Sequence, residues 1–149
     1  MGLRKGIIRG LGLLYRMLYR LPVVGDGAVR GMGRLIAFAG HHSPYGMKDG
    51  GSVAALRRDL EKALVAMDID FLELKEGGER LDLVLARCPY GFHRPEHVGV
   101  CDAAMEQDRA MLAYVGARLV IEESIPAGSP ACRVCIYPGG SPGRGPDRR

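Results

Sequence analysis

Apolar residues recur every three to four positions in the first half of the chain. Further on they alternate every second position in four short stretches. Over residues 3–21, Lys5, Arg9, Arg16 and Arg20 fall on one face at helical spacing, and Ile7, Leu11, Leu14, Leu18 and Leu21 fall on the opposite face. The pattern predicts a basic amphipathic helix that Pro22 ends. Its leucine face is expected to pack on the core, the alternative being a helix that lies on a membrane surface or on a protein partner. Arg9, Arg16 and Arg20 interrupt the apolar run, so the segment is no transmembrane span. Gly6, Gly10 and Gly12 lower its helix propensity and make it depend on something to pack against. A second helix is expected from about Ala28 to Ala39, followed by a loop over Gly40–Gly46. Ser52 reads as the N-cap of a third helix, Val53–Met67, with Val53, Leu56, Leu60, Leu64 and Met67 as its apolar stripe.

Residues 69–75 alternate apolar and charged side chains. Glu76-Gly-Gly-Glu79 is a turn, and residues 81–88 alternate again, so this region predicts a β-hairpin with Cys88 at the end of its second strand. Pro95 suits the first turn of a helix running to about Val115, with Gly116 as its stop. Residues 117–125 and 131–137 read as two more strands around a Pro126–Pro130 turn. The expected class is α+β: N-terminal helices packed on a small antiparallel sheet of two hairpins separated by a helix. Residues 1–137 are expected to form a single domain and 138–149, rich in Pro, Gly and Arg, a disordered tail.

The chain has 149 residues, 47% of them hydrophobic and 26% charged, a composition able to build a core without disulfide staples. No apolar leader with a small-residue cleavage site is recognisable, and four cysteines are few for a secreted scaffold. The expected compartment is reducing and cytoplasmic. The net charge of +4 is unevenly spread: residues 1–35 hold Arg4, Lys5, Arg9, Arg16, Arg20, Arg30 and Arg34 against Asp26 alone. Such a basic end suits an anionic surface or an acidic partner. Only 6% of residues are aromatic and none is Trp, so a stacking platform for nucleic acid is not expected.

The candidate chemistry lies in the C-terminal half, where Cys88, Cys101, Cys132 and Cys135 are found with His93, His97 and Asp102. Thiolates and imidazoles bind soft or borderline metals and also serve as nucleophile and base. His97 and Cys101 are four apart on one expected helix and so share a face. Cys132-x-x-Cys135 can chelate only from a turn-like backbone; in a regular strand its two sulfurs point to opposite faces. Cys135, between Val134 and Ile136, also reads as a small apolar core residue.

Arg87-Cys88-Pro89-Tyr90, then Val100-Cys101-Asp102 opening a helix, then Gly128-Ser-Pro-Ala-Cys132 follow one another along the chain. In this order of motifs, residues 50–137 resemble the L-2-amino-thiazoline-4-carboxylic acid hydrolase-like family. The resemblance implies a small hydrolase that opens a cyclic C–N bond, with Cys88, Cys101 and Cys132 in the site. The cysteine pattern is more distantly similar to 4-vinyl-reductase domains, which bind small hydrophobic molecules and hold zinc through cysteines, and to organomercurial lyase, which uses two cysteines and an aspartate.

Three readings follow. In the first, Cys88 or Cys101 is a nucleophile acting on a small-molecule substrate, His97 its base and Asp102 the orienting carboxylate, with a helix N-terminus lowering the pKa of Cys101. In the second, Cys88, Cys101, Cys132 and Cys135 hold zinc or an iron–sulfur cluster. In the third, the basic helix docks the chain on a membrane surface or protein partner.

Overall fold

The two hairpins join into one sheet. In the computed structural model, which describes residues 3–44 and 46–139, strands β1 (Glu73–Gly77), β2 (Arg80–Leu85), β3 (Arg118–Glu123) and β4 (Cys132–Tyr137) run antiparallel in the order β1-β2-β4-β3. β1 and β2 meet across Gly78-Glu79; Gly78, at φ 63, supplies the positive φ that such a two-residue turn demands. The second hairpin is joined through a 3₁₀ turn at Ile125–Ala127, and β2 pairs with β4 to link the two.

Register decides the faces. Leu81 lies opposite Ile136, Leu83 opposite Val134 and Leu85 opposite Cys132, and Leu119 and Ile121 continue the same side on β3. This face is buried against Leu56 and Leu64 of helix α3 (Val53–Ala66) and Leu112 of helix α5 (Glu106–Ala113). Each such leucine contributes about 1.5–3 kcal/mol when fully buried. The class is α+β, as the patterning predicts.

Ser52 caps α3 through a side-chain hydrogen bond from the Ala55 N–H at 3.1 Å. The helix ends in a Schellman motif: Asp68 takes φ 57, its N–H donates to Val65 and that of Ile69 to Leu64.

A second core lies behind the first. Tyr15 of α1 (Leu3–Tyr19), Val29 of α2 (Gly25–His42), Val100, Cys101, Ala103 and Ala104 of α4 (Val98–Ala104), and Phe92 form it. Here α1 departs from the expected orientation. Leu11 and Leu18 turn inward with Ile8, Tyr15 and Tyr19, but Ile7, Leu14 and Leu21 are exposed. The cause is Gly12, which meets the Tyr90 backbone so closely that a Cβ there would lie 2.1 Å from the Tyr90 carbonyl oxygen. That contact, rather than the leucine spacing, sets the helix rotation.

Several boundaries also move. α2 starts at Gly25 and runs to His42, absorbing the start of the expected 40–46 loop. β1 starts at Glu73 instead of 69, and β2 ends at Leu85, before Cys88. The expected 95–115 helix divides into a 3₁₀ turn (Pro95–His97), α4 and α5, with the ladder interrupted at Met105. The Asp102 carbonyl freed by that interruption accepts a hydrogen bond from Arg109 Nη1 at 3.0 Å. Of the expected tail, Pro138 and Gly139 are described, and the Gly139 N–H donates to the Gly50 carbonyl at 2.9 Å. The rest of it, 140–149, lies outside the described residues.

Candidate functional site

Between the two cores lies a cavity of about 170 Å³. Leu83 and Leu85 from β2, Val134 and Ile136 from β4, and Leu60 and Leu64 from α3 make an apolar wall. Ile8 and Leu11 of α1 close it on another side. Onto this surface the fold brings Cys88, Cys101 and Cys132. Leu85 and Cys132 are register partners, so the chain leaving β2 toward Cys88 stays beside β4, while Cys101 enters from α4.

All four cysteines are free thiols. Burial pushes the Cys101 thiol up to about 12, with the neighbouring Cys88 and Cys132 adding to the rise. The expected lowering by a helix N-terminus is therefore corrected: burial among apolar groups outweighs it. Burial also raises Cys132, opposed by the Ile125 N–H, which donates to its sulfur at 3.4 Å.

Cys88 is differently placed. Burial raises it too, with the backbone of Phe92, Tyr90 and Gly91 offsetting part of that rise, and the Gly91 N–H donates to the Cys88 carbonyl at 3.0 Å. Pro89 lies inside the turn that this bond closes. Cys88 also stands at a boundary. It lines the apolar cavity and, with Pro89, Ile8 and Ile69, a more open cleft of about 300 Å³ that carries Lys5, Arg9, Arg87, Asp68 and Asp70.

Cys135 does not join the other three. Three positions after Cys132 in a regular strand, it faces the opposite side of the sheet, where its thiol donates to Asp82 Oδ1 at 3.0 Å. Burial and the Asp82 and Glu122 carboxylates push it up to about 12. The four-cysteine ligand set is thus not assembled. Among the described residues, no group of three or more His, Cys, Asp or Glu side chains is gathered to hold a metal ion.

The expected helpers of the nucleophile are engaged elsewhere. His97 sits in the 3₁₀ turn, its Nδ1 accepting from the His93 and Arg94 N–H groups at 3.3 and 3.4 Å. Burial and then the Arg16 charge lower its pKa, so it is a neutral imidazole that ties down the loop. Asp102 is clamped between Arg30 Nη2 at 2.9 Å and Arg109 Nη2 at 2.7 Å. Burial opposes its charge, but those two hydrogen bonds win and hold the carboxyl below the usual range. It joins α2 to α4 and does not orient His97. His93 bonds the Gly91 carbonyl from the loop.

The carboxyl in the cavity is Asp108. Burial pushes it up to about 6, with only the Arg109 charge pulling the other way. Tyr90, which stacks on Phe92, and Gln107, which accepts from the Tyr15 hydroxyl at 2.7 Å, stand beside it on the lining. The sequence held the signal for Asp108. Cys101, Met105, Asp108 and Leu112 recur at i, i+4, i+7 and i+11, which places a carboxylate on the apolar stripe of a helix. No family model matches the chain, and no curated protein matches it closely.

Proposed function

We propose that the chain is a cysteine-dependent, hydrolase-like protein acting on a small, largely apolar ring compound, with Cys88 as nucleophile and Asp108 as the proton-handling carboxyl. One observation carries this reading: of the four cysteines, Cys88 alone borders both the apolar cavity and the more open cleft. A sulfur at the mouth gives an entering molecule access to it. The volume sets the size of the substrate. A dry cavity of about 150 Å³ holds one benzene ring, so about 170 Å³ accommodates one five- or six-membered ring.

In this scheme the Cys88 sulfur bonds to the electrophilic ring carbon while its proton passes to the Asp108 carboxylate. The ring C–N bond breaks with its electron pair on nitrogen, and the nitrogen recovers the proton from Asp108. Water then cleaves the S–C bond and returns the thiol. A carboxyl whose pKa is about 6 can both accept and release a proton near neutrality. The resemblance in motif order to the thiazoline carboxylic acid hydrolase-like family supports the same reading through Cys88, Cys101 and Cys132.

Iodoacetamide labelling of the folded protein at neutral pH, followed by peptide mass spectrometry, tests the reading. Cys88 is expected to react first, and hydrolysis of a panel of monocyclic C–N substrates to vanish in Cys88→Ser. Equal, slow labelling of all four cysteines refutes the nucleophile. Stoichiometric zinc or iron in protein purified without chelator would favour metal binding by Cys88, Cys101 and Cys132 instead.

A further inference from the structure

The cavity and the cleft share one partition. Ile8, Ile69, Cys88 and Pro89 line both, and of these Ile8 alone stands on a helix. It belongs to the weaker half of α1. From Leu11 onward the helix is anchored: Gly12 lies on the Tyr90 backbone, Tyr15 is fully buried and bonds Gln107 at 2.7 Å, and Leu18 and Tyr19 pack on the second core. Over residues 4–10 only Lys5 and Ile8 are partly buried, and the other five are exposed.

Polar tethers hold this half in place. Arg4 Nη1 donates to the Ala66 carbonyl, and Lys5 Nζ reaches Asp70 Oδ2 at 3.0 Å and Asp68 Oδ1 at 3.6 Å. These contacts lie at the surface, where charged pairs hold weakly. Asp68 is a second observation. It holds φ 57 where α3 ends, a position at which Gly is the unstrained choice, and so keeps a carboxylate facing Lys5. Gly6 and Gly10 are a third. A Cβ on either would meet nothing within 4 Å, so packing requires neither, and each weakens the helix relative to Ala. A segment with one inward apolar side chain, surface tethers and two such glycines opens more easily than the fold around it.

We infer that residues 4–10 of α1 are a gate between the cleft and the apolar cavity, with Ile8 as its blade and Lys5 as its latch. Swinging the segment outward at Gly10, where the anchored half begins, joins the cleft to the cavity and lets a single ring pass in beside Cys88. Closing returns Ile8 to the partition and Lys5 to its two carboxylates. A guest must move Ile8 whether or not Cys88 reacts with it, so the gate stands apart from the hydrolase reading.

N-Ethylmaleimide, whose five-membered ring is of the size the cavity holds, tests the inference on the full chain. Its addition to Cys101 in the cavity and to Cys135 across the sheet is followed at neutral pH by peptide mass spectrometry over a series of urea concentrations below the unfolding transition. The Cys101 rate is expected to be nearly flat in urea, because the opening exposes little surface, while Cys135 follows global unfolding and rises steeply. Gly6→Ala and Gly10→Ala together should slow Cys101 about 25-fold, about fivefold for each glycine at about 1 kcal/mol of helix propensity. Lys5→Gln should speed it about threefold. A Cys101 rate that parallels that of Cys135 in urea, or that is unchanged in either variant, would overturn the gate.

Discussion

Replacing Asp108 by Asn removes a titrating group from the cavity and leaves its shape nearly intact. The folded carboxyl titrates at about 6, against 3.8 for the free side chain. A difference of about 2.2 units at 1.36 kcal/mol each is about 3 kcal/mol. The sign follows from proton counts. Between pH 3.8 and 6 the folded chain holds the proton and the unfolded chain has lost it, so stability falls as pH rises through this window. Above it the full penalty of about 3 kcal/mol persists; below it there is none. Urea unfolding of the parent and of Asp108→Asn from pH 4 to 8 isolates this group, because every other titration is common to both proteins. The difference between the two curves should open by up to about 3 kcal/mol in favour of the variant at neutral pH. Parallel curves across the range would refute the placement of Asp108 in the cavity. Hydrolysis by the same variant should be lost although the protein is more stable.

Asp102→Ala should destabilise the fold by only about 1 kcal/mol, because the side chain is half exposed, and should leave the labelling rate of Cys88 unchanged. That contribution is present above the usual carboxylate pKa and lost as pH falls through the lowered folded value, so thermal melts at acid and neutral pH check it. Gly12→Ala should cost about 1–3 kcal/mol in denaturant titrations by forcing α1 away from Tyr90, and it should speed labelling of Cys101 by opening the cavity wall. Ser52→Ala should lower stability by about 1 kcal/mol through the lost cap, with no change in labelling.

The hairpins were legible because a period of two assigns each strand residue to a face, and a buried face fixes the register. Alternation puts Leu81, Leu83 and Leu85 on one face of their strand, but the β2–β4 pairing that sets them against Ile136, Val134 and Cys132 is visible only in the structure. The same rule separates Cys135 from Cys132, since three positions along a strand reverse the side chain. The rotation of α1 was not legible: a wide apolar distribution around the helix permits several orientations, and a backbone contact at Gly12 chooses among them. His97 and Asp102 looked like partners of Cys101 by spacing. Their hydrogen bonds are set by neighbours distant in sequence, Arg30 above all, and by the 3₁₀ turn that interrupts the expected helix. Asp108 is hard to read from sequence because an acidic residue in a helix is ordinarily solvated, and only its place on the apolar stripe marks it.

α1 is a wall with two working sides. Ile8 and Leu11 look into the cavity, while Leu13 and Met17 of the same rod look away from it. A force that tilts the rod from outside must reshape the chamber within.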